Sequence, residues 1–232
     1  MKDNAVKAPA GAEQPSASIY EMIREDIIAG RLAPHTRLKI ADLSEAYGTS
    51  TNPVREALQQ LRGEGIVEME PNRGARVVAI DQNFVRDITE IEVLIEPALT
   101  RWFCTIATDA DIAALEAVQQ EIEALNFTDL VRHAELDTRF HQLIYDRHYN
   151  RHVADLWWKH REILRAISRR YPVALSRRKS VLQEHRDLIE AIRAQDADGA
   201  AAIIARHVEG SGRHIIEQMS EYRRDVGDPN KN

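Results

Sequence analysis

The chain has 232 residues, 44% of them hydrophobic and 29% charged, with a net charge of −6. These values suit one or two globular domains; no apolar run approaches the roughly 18 residues of a membrane-spanning helix, and the N-terminus has no apolar signal segment. A single cysteine, Cys104, excludes an internal disulfide and a cysteine zinc cluster; a cytoplasmic location follows as the expectation.

Residues 1–15, rich in Ala, Pro, Gly and Gln, read as a flexible tail. Residues 16–80 read as three short helices and a hairpin. Ser18-Ile-Tyr-Glu21 has the spacing of a capping box. Ile19, Ile23 and Ile27 then recur every fourth residue, and Gly30 can close the helix. A second helix fits Lys39 to Tyr47, with Ile40, Leu43 and Tyr47 on one face. A third begins at Asn52-Pro53, where Asn caps well and Pro suits a first helical position. Val54, Leu58 and Leu61 form its buried face, and Gly63 and Gly65 end it. Two strands, Ile66 to Glu70 and Ala75 to Ile80, flank a turn at Pro71-Asn72-Arg73-Gly74.

From Asp81 the period becomes helical throughout. Six helices are expected: 82–106, 109–125, 128–148, 150–170, 177–194 and 197–222. Their caps are Thr108 or Asp109, Thr128, Asn150, and Asp196 or Asp198; Tyr171-Pro172 stops the fourth helix. Pro97 falls inside the first, where a kink is expected. Residues 81–222 thus form an all-α domain, and residues 223–232 look frayed. The fold class is mainly α: a winged helix-turn-helix followed by a six-helix antiparallel bundle.

The tight Gly48-Thr-Ser turn between two short helices is a helix-turn-helix pattern, whose second helix enters the major groove of DNA. That helix carries Thr51, Asn52, Arg55, Gln59 and Arg62 opposite its apolar face. Arg55 suits bidentate pairing with guanine and Gln59 suits adenine. Ser50, Thr51 and the amides of the helix start suit phosphate. The hairpin wing brings Asn72, Arg73 and Gly74 toward the DNA backbone or minor groove. Residues 31–76 hold seven Lys/Arg against six Asp/Glu, a net of +1. Any electrostatic footprint therefore depends on which face the charges occupy.

Residues 19–77, from IYEMIRE through RLKIADLSEAYGTSTNPVREALQQLRGEGIV to PNRGARV, resemble the winged helix of the GntR superfamily of bacterial transcription regulators. Arg37-Leu38, the Pro-Val-Arg-Glu-Ala-Leu core, the Gly-Ile-Val exit and the Pro-Asn-Arg-Gly-Ala wing match in order, and Arg37 joins the DNA-contact set. The helical half resembles the FCD effector domain of the FadR subfamily, and six helices resemble its shorter VanR-like branch. The resemblance implies a homodimer that binds a palindromic double-stranded operator and responds to a small organic acid. One departure is Thr51-Asn52, where the family usually has Arg-Thr; Asn52 can replace part of that reading by contacting adenine.

Nine histidines are present. His35, His148, His152 and His160 read as solvated helix or loop side chains. Asp137 and His141 stand four apart, so both lie on one helix face, beside Leu136, Phe140, Leu143 and Ile144. His185 is flanked by Val181, Leu182, Leu188 and Ile189, and His207 follows Ile203 and Ile204. An unpaired imidazole in an apolar stripe is costly. One shared ion explains these residues, and separately hydrogen-bonded core histidines are the alternative. The FCD resemblance implies the ion: metal-binding members place ligands at D-x-x-x-H and one His on each of two later helices, matching Asp137, His141, His185 and His207. Zinc fits best, with nickel, iron or manganese in an octahedral version. His214 and His133 are fringe candidates.

The family also commonly carries an effector-pairing Arg in a pattern like E-x-R-x-x-L-E on the first effector helix. Here Glu92 holds that place. Arg161 and Arg165 on the fourth helix can substitute, or the effector is less anionic. Trp157 and Trp158 read as core or dimer surface. A ligand-responsive regulator, most simply a repressor and not an enzyme, is the resulting expectation. The alternatives are a constitutive DNA-binding protein with a structural metal and a metal-dependent hydrolase.

Overall fold

A computed structural model describes residues 18–70, 74–169, 171 and 174–226. The chain divides into two compact units, 1–78 and 79–232.

The first unit begins with α1 (Ile19–Ile28). Ser18 and Glu21 form the expected reciprocal capping box. Strand β1 (Arg37–Leu38) precedes α2 (Ile40–Ala46), and α3 spans Thr51–Gly63. Strands β2 (Val67–Glu70) and β3 (Gly74–Val77) form the antiparallel wing, with Val67 opposite Val77. β1 adds to the far side of β3, placing Leu38 opposite Ala75. Two residues are too few to show an alternating pattern, so β1 escapes sequence reading. Asn72 and Arg73 lie outside the described residues.

The start of α3 differs from expectation. Ser50, not Asn52, is the cap residue, and its side chain makes no capping bond. Pro53 therefore falls at the third helical position. Its missing N–H is still one of the donors that no helix carbonyl can satisfy, so the helix tolerates it. Gly48, at φ +62°, makes the left-handed turn between α2 and α3. Val54, Ala57, Leu58 and Leu61 are buried and pack with Ile23 and Ile27 of α1 in the core of this unit. Glu64 then accepts bonds from Tyr20 and, at 3.2 Å, from Arg24, tying α1 to the exit of α3.

The second unit holds, among the described residues, six helices: α4 (Gln82–Ile106), α5 (Asp109–Leu125), α6 (Leu130–Tyr145), α7 (Arg151–Ser168), α8 (Leu175–Arg193) and α9 (Ala197–Val226). Asp81 caps α4 through Asn83 and Phe84. Thr108 and Asp111 form a capping box on α5. Asp129, rather than Thr128, caps α6 through Arg132. Helix α7 ends before Tyr171-Pro172, and α9 runs through Val226, so residues 223–226 are helical rather than frayed. α4 continues through Pro97.

The core gathers Leu99 and Phe103 from α4, Leu115 and Ile122 from α5, and Phe140 and Ile144 from α6. Trp157 is wholly buried with them. α4 lies closely along α9. A Cβ on Gly212 of α9 would stand 2.3 Å from Thr89 Oγ1, inside contact distance. Thr89 cannot turn away freely, because its hydroxyl is bonded to the Val85 carbonyl at 2.7 Å. Gly212→Val is therefore expected to destabilise the protein by about 1–3 kcal/mol, read as a lowered midpoint in urea unfolding. An unchanged midpoint would contradict this close packing.

Candidate functional site

The exposed side of α3 carries Thr51, Asn52, Arg55, Gln59 and Arg62, while the apolar side is buried. Ser50, Arg37 and Gly74 are also exposed. The helix period thus separates a packing face from a solvent face offering donors suited to phosphates and base edges.

The other candidate lies inside the helical unit. His141 on α6, His185 on α8 and His207 on α9 meet there, with one nitrogen from each within 4.8 Å of the others. All three rings are buried. Phe140 stacks on His185 with ring centres 4.2 Å apart, so the pair sits in an apolar wall.

Neighbouring groups set the ring orientations. Gln119 of α5 donates its amide to Glu123 at 2.9 Å, so its carbonyl oxygen faces His185 Nδ1, also at 2.9 Å. That nitrogen must therefore carry the proton, leaving Nε2 as a bare lone pair. Glu184 fixes His207 the same way by accepting from its Nδ1 at 2.8 Å, and Arg177 holds Glu184 at 2.7 Å. His185 Nε2 and both nitrogens of His141 are buried without a hydrogen-bond partner. Such orphaned groups are expensive. Inward lone pairs backed by outer hydrogen bonds are the arrangement in which metal-binding imidazoles are held. The residues fit a divalent ion.

Asp137 stands beside this trio. One carboxylate oxygen pairs with Arg161, and the other lies 3.5 Å from His185 Nε2. Arg161 also donates to Thr138 at 3.1 Å. Burial works against the Asp137 charge, but Arg161 and the imidazoles outweigh it and hold the carboxyl well below its ordinary value. Burial keeps His141 well below its ordinary range, and burial with the nearby His207 pushes His185 down to about 3. Both rings are therefore neutral, as ligation requires.

A cavity of about 480 Å³ opens beside the trio. Glu92, Arg161, Arg165 and His214 all line it, as do Glu96 and His133. Arg165 pairs with Glu162 at 3.1 Å, and His214 accepts from the Ala174 amide at 3.3 Å. His133 stacks on Phe127 outside the trio. Two histidines expected in solvent are not there. His148 is buried against Trp102 and Tyr149, and His160 Nδ1 bonds the Glu92 carboxyl. Glu96, Gln119, Glu184 and Arg177 were not anticipated as site residues. Gln119, wholly buried in the apolar stripe of Leu115 and Ile122, carried the same signal as the histidines.

Comparison with known families gives two matches. Residues 15–77 match the model described as bacterial regulatory proteins, gntR family, and residues 87–210, more than half the chain, match the FCD domain. The chain belongs to the gntR family of bacterial regulatory proteins.

This gntR-family chain is 29% identical to the HTH-type transcriptional repressor RspR of Escherichia coli over 96% of its length and 97% of the relative's. It is 28% identical to the galactonate operon transcriptional repressor of the same organism, over 83% and 93% of the two chains. Two solved structures share the fold. One is Lar, described as controlling the Listeria monocytogenes agr system, with a TM-score of 0.66 at 18% identity over 90% of this chain and 99% of that one. The other is Escherichia coli McbR/YncC, with a TM-score of 0.62 at 20% identity over 88% and 96%. The gntR-family protein is thus a DNA-binding transcription regulator and not an enzyme, so the hydrolase alternative falls. No described helix is long and apolar enough to cross a membrane.

Glu92 supplies a pH test. Burial pushes its carboxyl from an ordinary 4.5 up to about 8, against opposing contributions from Glu96 and Arg161. The folded state thus favours the protonated form. The associated stability is present below about pH 4.5 and lost as pH rises to about 8. Gln does not titrate, so Glu92→Gln should gain on the wild type across this window, by at most about 1.4 kcal/mol per pH unit. Thermal unfolding between pH 5 and about 8.5 tests this, and a difference independent of pH would contradict it.

Proposed function

We propose that this regulator is a homodimeric repressor whose helical domain holds a divalent metal, most simply zinc, and binds a small organic acid in the adjoining cavity. The observation that carries the reading is the convergence of three buried imidazoles, of which His141 and His185 hold orphaned nitrogens and His141 and His207 line the adjoining cavity. His141, His185 and His207 would hold the ion, with Asp137 as a fourth candidate. Nitrogen donors with one carboxylate suit zinc, and also nickel, iron or manganese. Once bound, the ion would supply a Lewis-acid anchor for a carboxylate.

The chain's own residues supply the rest. Gln119 and Glu184 orient two rings. Arg161 neutralises Asp137 and ties α7 to α6. The apolar wall excludes water and strengthens each polar contact. On the DNA side, Arg55, Gln59 and Asn52 would reach base edges and Ser50 and Thr51 phosphate, with Asn72, Arg73 and Gly74 on the backbone or minor groove and Arg37 in the same contact set. Two copies of α3 must dock at a fixed half-site separation. An effector that binds the wrong separation more tightly releases DNA by that difference in affinity.

The deciding experiment is a fluorescence-anisotropy titration against DNA flanking the protein's own gene, at stated salt, with a scrambled control. Selective binding is expected, and Arg55→Ala should abolish the selectivity while circular dichroism stays unchanged. Wild-type affinity in that variant would refute the docking assignment. If no small organic acid changes operator affinity, the effector reading fails and a constitutive DNA-binding protein remains.

The metal has a separate test. His185→Ala should lose the bound ion, measured by elemental analysis after dialysis, and lower the melting temperature. Unchanged metal content would restore the reading of separately bonded core histidines.

A further inference from the structure

The cavity wall opposite convention is acidic. Glu92 and Glu96, one turn apart on α4, both line the cavity and are both buried. Their circumstances differ. Both oxygens of Glu96 accept bonds from the protein, one from the Tyr145 hydroxyl at 2.6 Å and one from the Trp157 indole at 3.2 Å. Glu92 uses one oxygen to accept from His160, but its Oε2 is buried without a hydrogen-bond partner, although the residue is only 2% exposed.

The partly buried cations around the same cavity are engaged elsewhere. Arg161 pairs with Asp137, Arg165 with Glu162 and Arg177 with Glu184. Burial holds His160 below its ordinary range, so it serves Glu92 as a neutral donor rather than a counter-charge. The α4 wall therefore offers an unfilled acceptor with no cation bonded to it; the Arg161 charge is felt there but is paired with Asp137. A ligand hydroxyl would satisfy the lone pair but leave any charge there uncompensated. An ammonium group would do both, because a buried carboxylate is stable only when paired.

From this we infer that the effector is a small amine-bearing acid whose ammonium group donates to Glu92 Oε2 while its carboxylate faces the histidine end of the cavity. The inference rests on the reading of this cavity as the effector site. Burial pushes both carboxyls up to about 8, and the charge of Glu92 adds to the shift of Glu96. An ammonium would draw Glu92 back to its ionised form, at a cost of only about one pH unit near neutrality.

The test is isothermal titration of the full-length metal-loaded protein with matched sets of three- to six-carbon acids. Each set contains an amino acid, the hydroxy acid of the same skeleton and the corresponding dicarboxylate. At least one amino acid should bind ten-fold or more tightly than both its counterparts. Glu92→Gln should weaken that amino acid at least ten-fold and change its hydroxy counterpart less than about three-fold. Glu92→Arg should shift preference to the dicarboxylate. Circular dichroism and operator anisotropy on each variant establish that it is folded. Preference for a hydroxy acid or dicarboxylate in the wild type overturns the inference, as does unchanged amino-acid affinity in Glu92→Gln. If a non-amine acid both binds and releases the operator, the cavity remains the effector site and only the ammonium assignment falls. If no acid binds and none alters operator affinity, both fall.

Discussion

An imidazole removed from water must lose its charge and find partners for both nitrogens, or the fold is penalised for it. The helical unit imposes this condition three times at one place, where α6, α8 and α9 come together. Much of the surrounding polar structure answers it. Gln119 reaches from α5 to accept from the outer Nδ1 of His185, and Glu184 does so for His207. Arg177 in turn steadies Glu184 and bonds the His207 carbonyl and Ser211. The outer nitrogens of His185 and His207 are satisfied by the protein, while His185 Nε2 and both nitrogens of His141 are not. Buried polar groups are ordinarily paired, so three orphaned nitrogens on two adjoining imidazoles call for an explanation beyond core packing.

The same condition explains the cavity's composition. Three partly buried arginines there are matched by carboxylates: Arg161 by Asp137, Arg177 by Glu184, Arg165 by Glu162. Glu96 escapes the need for a cation because Tyr145 and Trp157 donate to both its oxygens. Glu92 is the departure from this pattern, because its Oε2 has no hydrogen-bond partner. Holding α4 close against α9 depends on the absence of a side chain at Gly212, so the wall bearing Glu92 is set by backbone proximity.

Much of this was legible in the residues. Period and capping chemistry located all six helices of the second unit within a few residues, and the misfit of His141, His185 and His207 in apolar stripes placed them on buried faces. What escaped reading had physical causes. Strand β1 is two residues long and exists only because β3 offers it an edge. The cap of α3 moved to Ser50 because local preference for Asn yields when the turn geometry places the helix start earlier. Spacing along one helix cannot say which neighbour a side chain meets, so the pairing of Arg161 with Asp137, the burial of His148 and the bond of half-buried His160 to Glu92 depend on packing between distant segments. Gln119 was legible in principle, as a polar residue in an apolar stripe.

The two faces of this protein differ in how freely they can change. On α3, the exposed Thr51, Asn52, Arg55 and Gln59 stand apart from the buried Val54, Leu58 and Leu61. Substitutions at such surface positions ordinarily shift stability by no more than about half a kcal/mol. A lineage can therefore wander among operator sequences one codon at a time without endangering the scaffold. The cavity of the helical unit permits no such wandering. Its polar side chains are bonded to one another across α4, α6 and α7, so replacing one strands its neighbour. Away from Glu92, new ligand preferences there would need coupled substitutions, and the α3 surface should diversify faster than the cavity among descendants of this chain.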